Sequence, residues 1–504
     1  MRAHLPILPI LIPFAAALLQ LVCQRLAWQR VIGLSAGAVL LLAGGWMTQL
    51  SDDGVLRVYA LGDWPAPFGI VLVVDRLAAL MTLLSAVLGL LTLLYASAGF
   101  DERGRHFHPL FQLQLVGLCG AFLTGDLFNL FVFFEVMLLA SYTLLAHGGG
   151  LARTRAGISY VVLNLLGSAL FLIALGLLYG TLGTLNLADM ASRLALPGHD
   201  AALARVAFAL LIAVFALKAG LLPLSFWLPP TYTAAGAPVA ALFAIMTKVG
   251  IVAILRVQAV ALAPSIPDLL AGWLTPLALA TVTFAALGTL TADRLRALAA
   301  WLVLLSAGSL LLAPAHADQQ VVAAAIYYLL QSTLTGAALF LVAGVIAGQR
   351  GDSGDHFRAG PPTAAWVKLA FLVVAASAAG LPPFAGFVGK LMLLTTLRPT
   401  AAGTAIWMVL LGAGFLVMAA LARQGCIMLW KPPAPLVPGP VPAIAWQRAL
   451  ATLLLVSAAP LLAIFAGPLS AYAQRTASQL HAPGAYVAGV LGARPRSPGH
   501  EAQR

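Results

Sequence analysis

Phe131-Val132-Phe133-Phe134-Glu135-Val136-Met137-Leu138-Leu139 sets one carboxylate inside an otherwise apolar run. A run of this kind reads as part of a membrane-spanning helix that carries a charge within it. Three amines sit in comparable surroundings further along, at Lys218, Lys248 and Lys390. An ionised side chain at the centre of a bilayer costs roughly 2.5–3.5 kcal/mol on insertion scales, so such residues are rare and mark ion or proton paths. Four in one chain exceed what packing explains. Glu135, Lys218, Lys248 and Lys390 are therefore the candidate proton relay.

Composition sets the frame around these residues. Of 504 residues, 62% are hydrophobic and only 9% charged, with a mean hydropathy of +0.98. A soluble domain carries about 25% charged residues. The expected fold class is an all-α polytopic membrane protein of about 14 transmembrane helices. Their expected limits are 5–22, 31–49, 70–95, 108–124, 127–147, 158–182, 201–228, 237–262, 268–290, 297–314, 321–347, 363–396, 404–430 and 448–472. The first run, Leu5 to Val22, follows Arg2 like a signal peptide but lacks a small-residue cleavage site before a soluble domain, so it reads as span 1.

The net charge of +12 does not point to nucleic acid, because the arginines lie singly or in pairs between apolar runs, with no basic face interleaved with aromatics. Topology accounts for it better. The odd-numbered connections hold Arg25, Arg30, Arg103, Arg105, Arg153, Arg155, Arg294, Arg296, Arg350, Arg358, Lys431 and Arg448, while the even-numbered ones hold Arg57, Arg193 and Arg398. Basic loops stay in the cytoplasm, so the odd loops are expected inside and both termini outside. Cys23, Cys119 and Cys426 are far apart and form no metal-ligand or redox spacing. With no P-loop and no dinucleotide fingerprint, no cofactor and no enzymatic activity of its own are expected.

Two spans contain breaks. Span 7 runs Lys218-Ala-Gly-Leu-Leu-Pro223, and span 12 runs Gly380-Leu-Pro382-Pro383-Phe-Ala-Gly-Phe-Val-Gly-Lys390. Proline removes a backbone donor and clashes with the preceding turn, so both helices are expected to break. Broken helices in corresponding places point to inverted repeats with ion sites between them. The expected organisation is residues 1–107 for spans 1–3, 108–262 for a first five-helix repeat, 263–430 for a second, and 431–504 for span 14 and a polar, poorly ordered tail.

Desolvation drives a buried lysine toward its neutral form and a nearby carboxylate pulls it back, so Glu135 and Lys218 can act as an electrostatic switch. Breaking such a pair costs several kcal/mol, enough to push a proton onward. Lys248 would receive it, and Tyr328, Gln331 and Ser332 of span 11, with Tyr327, Thr333, Thr335 and water, would pass it to Lys390. Arg256 is a candidate counter-charge inside the bundle. Asp126 is a candidate relay residue whose plainer reading is a cap on span 5. Asp75 and Arg76 read as an interfacial pair, His106 and His108 as solvated loop residues, and Lys368 and Arg423 as snorkelling side chains.

These residues together resemble the antiporter-like membrane subunits shared by respiratory complex I, membrane hydrogenases and Mrp-type cation/proton antiporters. The resemblance rests on Phe133-Phe134-Glu135, Lys218 with Pro223, Phe226-Trp227-Leu228-Pro229, Ala237-Pro238-Val239, Lys248, Asp293-Arg294-Leu-Arg296 and the Gly380 to Lys390 segment. The chain looks most like the D-type subunits of Mrp antiporters, especially those of the potassium-associated Pha branch. That implies a 14-helix core, a Glu/Lys proton path, residence in a bacterial inner membrane, and work inside a hetero-oligomeric complex that exchanges protons for Na⁺ or K⁺. Relatives often carry a histidine near Gln331 and a lysine near Gly336; both are absent here, which leaves Gln331 and water as a non-titrating substitute. A proton-pumping subunit of complex I or of a membrane-bound hydrogenase is the alternative, and an inert membrane scaffold a third.

Overall fold

The computed structural model describes residues 2–431 and 441–493. Among them, twelve helices are long and apolar enough to cross a bilayer: span 1 (His4–Val22), 2 (Leu26–Ser51), 3 (Arg76–Ala96), 5 (Leu127–Ala146), 6 (Leu151–Leu182), 7 (Ala201–Ala219), 8 (Ala237–Ser265), 9 (Leu274–Thr291), 10 (Leu295–His316), 11 (Gln319–Ser353), 13 (Gly403–Trp430) and 14 (Trp446–Ile464). Phe107–Leu123 supplies span 4, and Ala365–Ala379 with Ala385–Leu397 form the two halves of span 12. The fourteen expected spans are thus all present as helices. Spans 8, 10 and 11 are the centre, since their apolar stretches are 100%, 83% and 89% buried, against 28% for spans 13 and 14 at the perimeter.

The two proline-containing breaks share one backbone solution. Gly220 and Gly380 end the first half-helices with φ of 86° and 85°, a left-handed conformation that glycine adopts without a Cβ penalty. The next residues then bond back alike: the Leu221 N–H to the Ala216 carbonyl and the Leu381 N–H to the Ala376 carbonyl, both at 2.9 Å. Span 8 is interrupted too, with no proline in the gap. Its helix stops at Phe243 and restarts at Met246. Across the gap the bonds are of the tighter i→i+3 kind, ending with the Lys248 N–H to the Ile245 carbonyl at 3.0 Å.

The all-α fold carries one small addition. A two-stranded antiparallel hairpin, β1 (Arg57–Ala60) and β2 (Val71–Val74), lies between spans 2 and 3, with Arg57 opposite Val74 and Ala60 opposite Val71. It is stitched to neighbouring loops, for the Gly125 N–H bonds the Val71 carbonyl and the Leu187 N–H bonds the Gly125 carbonyl, both at 3.0 Å. A short helix, Leu187–Leu194, caps the same end of the bundle.

The tail differs from expectation as well. Ala466–Leu480 and Pro483–Leu491 are helices. They are held to that end of the bundle by Gln479, which accepts from the Arg76 N–H at 3.0 Å and donates to the Gly54 carbonyl at 3.1 Å, and by Arg475, paired with Asp52 at 2.9 Å. A polar composition hid an amphipathic helix whose buried side is Ala473, Thr476, Ala477 and Leu480. Residues 494–504 of the expected tail lie outside the described residues.

Candidate functional site

Glu135 sits half-buried on span 5, facing span 6. The Ser168 hydroxyl donates a short hydrogen bond to its carboxylate. On the other side of Ser168 lies Lys218 in the last turn of the first half of span 7. Its ammonium donates to the Ser168 hydroxyl at 3.4 Å, and to the Asn164 carbonyl and side-chain oxygens at 3.2 and 3.3 Å. Glu135 and Lys218 therefore do not touch as an ion pair; a hydroxyl stands between them. Span 6 packs closely on span 7 here, for a Cβ on Gly167 would press on the Leu217 side chain at 3.2 Å while making only ordinary contact with Lys218 Cε at 3.6 Å. Neither Ser168 nor Asn164 stands out in the sequence.

Lys248 is fully buried, and its ammonium donates to the Ser306 hydroxyl of span 10 at 2.8 Å. No hydrogen bond joins Lys218 to Lys248 among the described residues. Their helices are nevertheless in close contact, for a Cβ on Gly250 would lie 2.7 Å from the Phe215 carbonyl oxygen and 3.0 Å from the Ala219 nitrogen of span 7. The buried Thr247 hydroxyl beside Lys248 has no hydrogen-bond partner.

From Ser306 a small cavity of about 30 Å³ leads on, lined also by Tyr328, Gln331, Ser332, Thr335 and Lys390. That is room for about one water molecule. Gln331 donates to the Thr335 hydroxyl at 3.1 Å and to that of Ser377 at 3.4 Å. Lys390 closes this end. Its ammonium donates to the last carbonyls of the first half of span 12, Ala378 at 3.0 Å and Ala379 at 2.8 Å, where the helix dipole favours a cation. Pro382 and Pro383 are exposed in the break that permits this turn-back, and Pro223 is exposed in the equivalent break of span 7.

Arg256, Asp75 and Asp126 lie together at the C-terminal end of span 8. Arg256 is paired with Asp75, its two terminal nitrogens donating at 2.7 and 3.1 Å to the carboxylate oxygens. Both side chains are buried, so Asp75 is not the interfacial partner of Arg76 that its neighbourhood in sequence suggested; Arg76 approaches Asp52 at 3.6 Å instead. Asp75 and Arg256 are 181 positions apart. Asp126 caps span 5, accepting from the Asn129 N–H at 2.9 Å. His108, expected in solvent, is buried in span 4 with its ring 2.9 Å from Asp101, which also takes two bonds from Arg30 at 2.7 and 2.8 Å. Burial raises the Asp101 pKa, but the bonds from Arg30 and His108 outweigh that and hold it at about 2.

Residues 124–419 match the family described as NADH:quinone oxidoreductase/Mrp antiporter, transmembrane. The chain is 39% identical to the D-type subunit of a probable K⁺/H⁺ antiporter of Rhizobium meliloti strain 1021, over 97% of its own length and 98% of the relative's. It is 38% identical to the D-type subunit of the Na⁺/H⁺ antiporter of Bacillus subtilis strain 168, over 76% of this chain and 78% of that one. Among solved structures, a chain of the Mrp complex from Dietzia sp. DQ12-45-1b overlays with a TM-score of 0.87 at 28% identity, covering 97% of this chain and 99% of that one. A chain of respiratory complex I from Thermus thermophilus overlays at 0.76 and 25% identity, over 95% of this chain and 100% of that one.

Proposed function

The chain belongs to the NADH:quinone oxidoreductase/Mrp antiporter transmembrane family, and from that premise we propose that it is the D-type component of a multisubunit antiporter, moving protons in exchange for K⁺ or Na⁺. The identity to the Rhizobium K⁺/H⁺ antiporter component over nearly both full lengths supports this branch over the redox-driven one. The observation that carries the proton reading is the series of buried or half-buried protonatable groups joined by hydroxyls. Glu135, Ser168 and Lys218 form one segment. Lys248, Ser306, the Tyr328–Gln331 cavity and Lys390 form the other.

The mechanism we infer follows from the geometry. With Glu135 ionised, Ser168 donates to it and Lys218 is held as an ammonium through the same hydroxyl. Protonation of Glu135 removes that negative charge, and desolvation then favours release of a proton from Lys218. The interrupted turn before Lys248 gives that residue a backbone able to shift toward span 7, after which Ser306 and the cavity carry the proton to Lys390. Residues 108–262 and 263–430 are the two repeats in this scheme, each with one proline-containing break. The odd-numbered, arginine-rich loops face the cytoplasm of a bacterial inner membrane, and both termini face outward. Partner subunits, lipid, protons and K⁺ or Na⁺ are the interacting species.

Cation/proton exchange in vesicles containing the whole complex tests this. Loss of exchange in Glu135→Ala and in Lys218→Ala, with assembly intact, is the expected result. Full exchange in both would overturn the mechanism.

A further inference from the structure

Beyond the lysine series, a second set of buried polar groups lies at the end of the bundle covered by the C-terminal helices. A cavity of about 410 Å³ opens there, lined by Asp75, Arg76, Arg475, Gln479, Ala485 and Tyr486 among others. A separate cavity of about 20 Å³, room for a single water, is lined by Thr124, Asp126, Val252 and Arg256. Asp75 faces the first and Arg256 lines the second, so their ion pair stands between the two. Tyr486 closes the gap from the side: its ring centre is 5.8 Å from the Arg256 guanidinium. Its hydroxyl is buried, interacts with the Arg256 guanidinium, and would lie 3.4 Å from a Cβ on Gly125, beside Asp126. Arg256 and Lys248 are two helical turns apart on span 8, with Val252 between them in the wall of the small cavity.

We propose that the Asp75–Arg256 pair is a gate on the outward arm of the proton path, shut in this structure, between the large cavity and the Asp126–Lys248 side. An arginine stays charged at every relevant pH, so Arg256 carries no proton itself. Paired with Asp75 it forms a neutral, rigid plug between the two cavities and leaves no free carboxylate on the route. A proton arriving from the large cavity neutralises the Asp75 carboxylate and removes its hold on Arg256. The released guanidinium then swings into the small cavity that it lines, leaving the proton to pass by the Tyr486 hydroxyl and water toward Lys248. No covalent bond other than those to the moving proton changes. The Tyr486 hydroxyl, which leans on Arg256 while the pair is closed, becomes a donor and acceptor for the proton once Arg256 moves. The C-terminal helices are then part of the conduction machinery, because they supply Tyr486 and one wall of the outer cavity.

This inference rests on the proton reading above, and the experiment separates the two. In vesicles holding the full complex, with Cys23, Cys119 and Cys426 replaced by serine, Ala485→Cys places a thiol in the large cavity, and Ala201→Cys places one at an exposed site at the start of span 7. A bulky membrane-impermeant thiol reagent in the outer solution is expected to stop exchange in Ala485→Cys and leave Ala201→Cys unaffected. The double variant Asp75→Asn/Arg256→Gln, which removes both charges together, is expected to leak protons without counter-cation. If labelled Ala485→Cys exchanges at its unlabelled rate, or is stopped only from the cytoplasmic side, the gate is overturned; should the double variant fail to assemble, this labelling result decides alone. An assembled double variant with full exchange and no leak overturns it equally. Loss of exchange in Glu135→Gln alongside either result confines the failure to the gate, whereas full exchange in Glu135→Gln removes the proton reading and the gate with it.

Discussion

Ser168 is the residue on which the Glu135–Lys218 coupling turns, because it bonds both. Ser168→Ala keeps the volume and removes the bridge. Exchange in vesicles is expected to fall about 10²-fold, the lower range of what a positioned proton-transfer group contributes, while Ser168→Thr retains most of it. Ser306 plays a different part, since it is the hydrogen-bond acceptor of the fully buried Lys248 ammonium. Ser306→Ala is expected to destabilise the protein by roughly 1–3 kcal/mol through that orphaned donor, read as a lower unfolding midpoint in detergent. Asp101 gives a pH test away from the spans. Its folded-state pKa is depressed from 3.8 to about 2. Its contribution to stability is therefore complete above about pH 4 and disappears as pH falls toward 2. Asp101→Asn is expected to flatten that part of the stability–pH curve. The charges of this site are legible in the sequence because an ionised group in an apolar run stands out. The serines are not, because a helical serine usually bonds its own backbone, as Ser85 does with the Met81 carbonyl. Ser306 does both, donating to Val303 while accepting from Lys248.

At the scale of elements, the two halves of span 12 meet so closely that a Cβ on Gly386 would fall 1.7 Å from the Ser377 carbonyl oxygen. Gly386→Ala forces them apart, and it is expected to displace Lys390 from the Ala378 and Ala379 carbonyls. The overpacking is expected to destabilise by about 1–3 kcal/mol, together with a loss of exchange larger than the stability change explains. The breaks in spans 7 and 12 are legible because proline forbids a continuous helix. The break in span 8 is not, because Phe243, Ala244 and Ile245 are all good residues for a buried helix, and it is the contact of Gly250 with span 7 that distinguishes this stretch. The helix Leu187–Leu194 does carry a signal: Asn186 as cap, then Leu187, Met190, Ala191 and Leu194 on one buried face. The hairpin leaves only a weak trace, four residues per strand in a short connection.

For the whole molecule, the C-terminal helices close the end opposite the Arg30–Asp101–His108 cluster, joining spans 2 and 3 through Asp52, Gly54 and Arg76. Removing the residues after Phe465 takes away Arg475, Gln479 and Tyr486 together, and opens the Asp75–Arg256 pair to solvent. The truncated chain is expected to unfold at lower temperature in detergent and to co-purify with its partners in reduced amount. Span number and the lipid-borne nature of the fold follow from composition, since apolar length is a local property. Which ends are stitched together does not, for Asp75 and Arg256 are brought side by side only by the packing of the complete bundle. One consequence reaches beyond the site itself. While Lys218 is an ammonium and Glu135 an anion, neither can reverse its part, so the oxygen between them must point its hydrogen toward the acid. In the mechanism proposed above, Ser168 is thus a weathervane for the pair: its hydrogen faces the acid while Glu135 is ionised and is free to turn only once Glu135 is protonated.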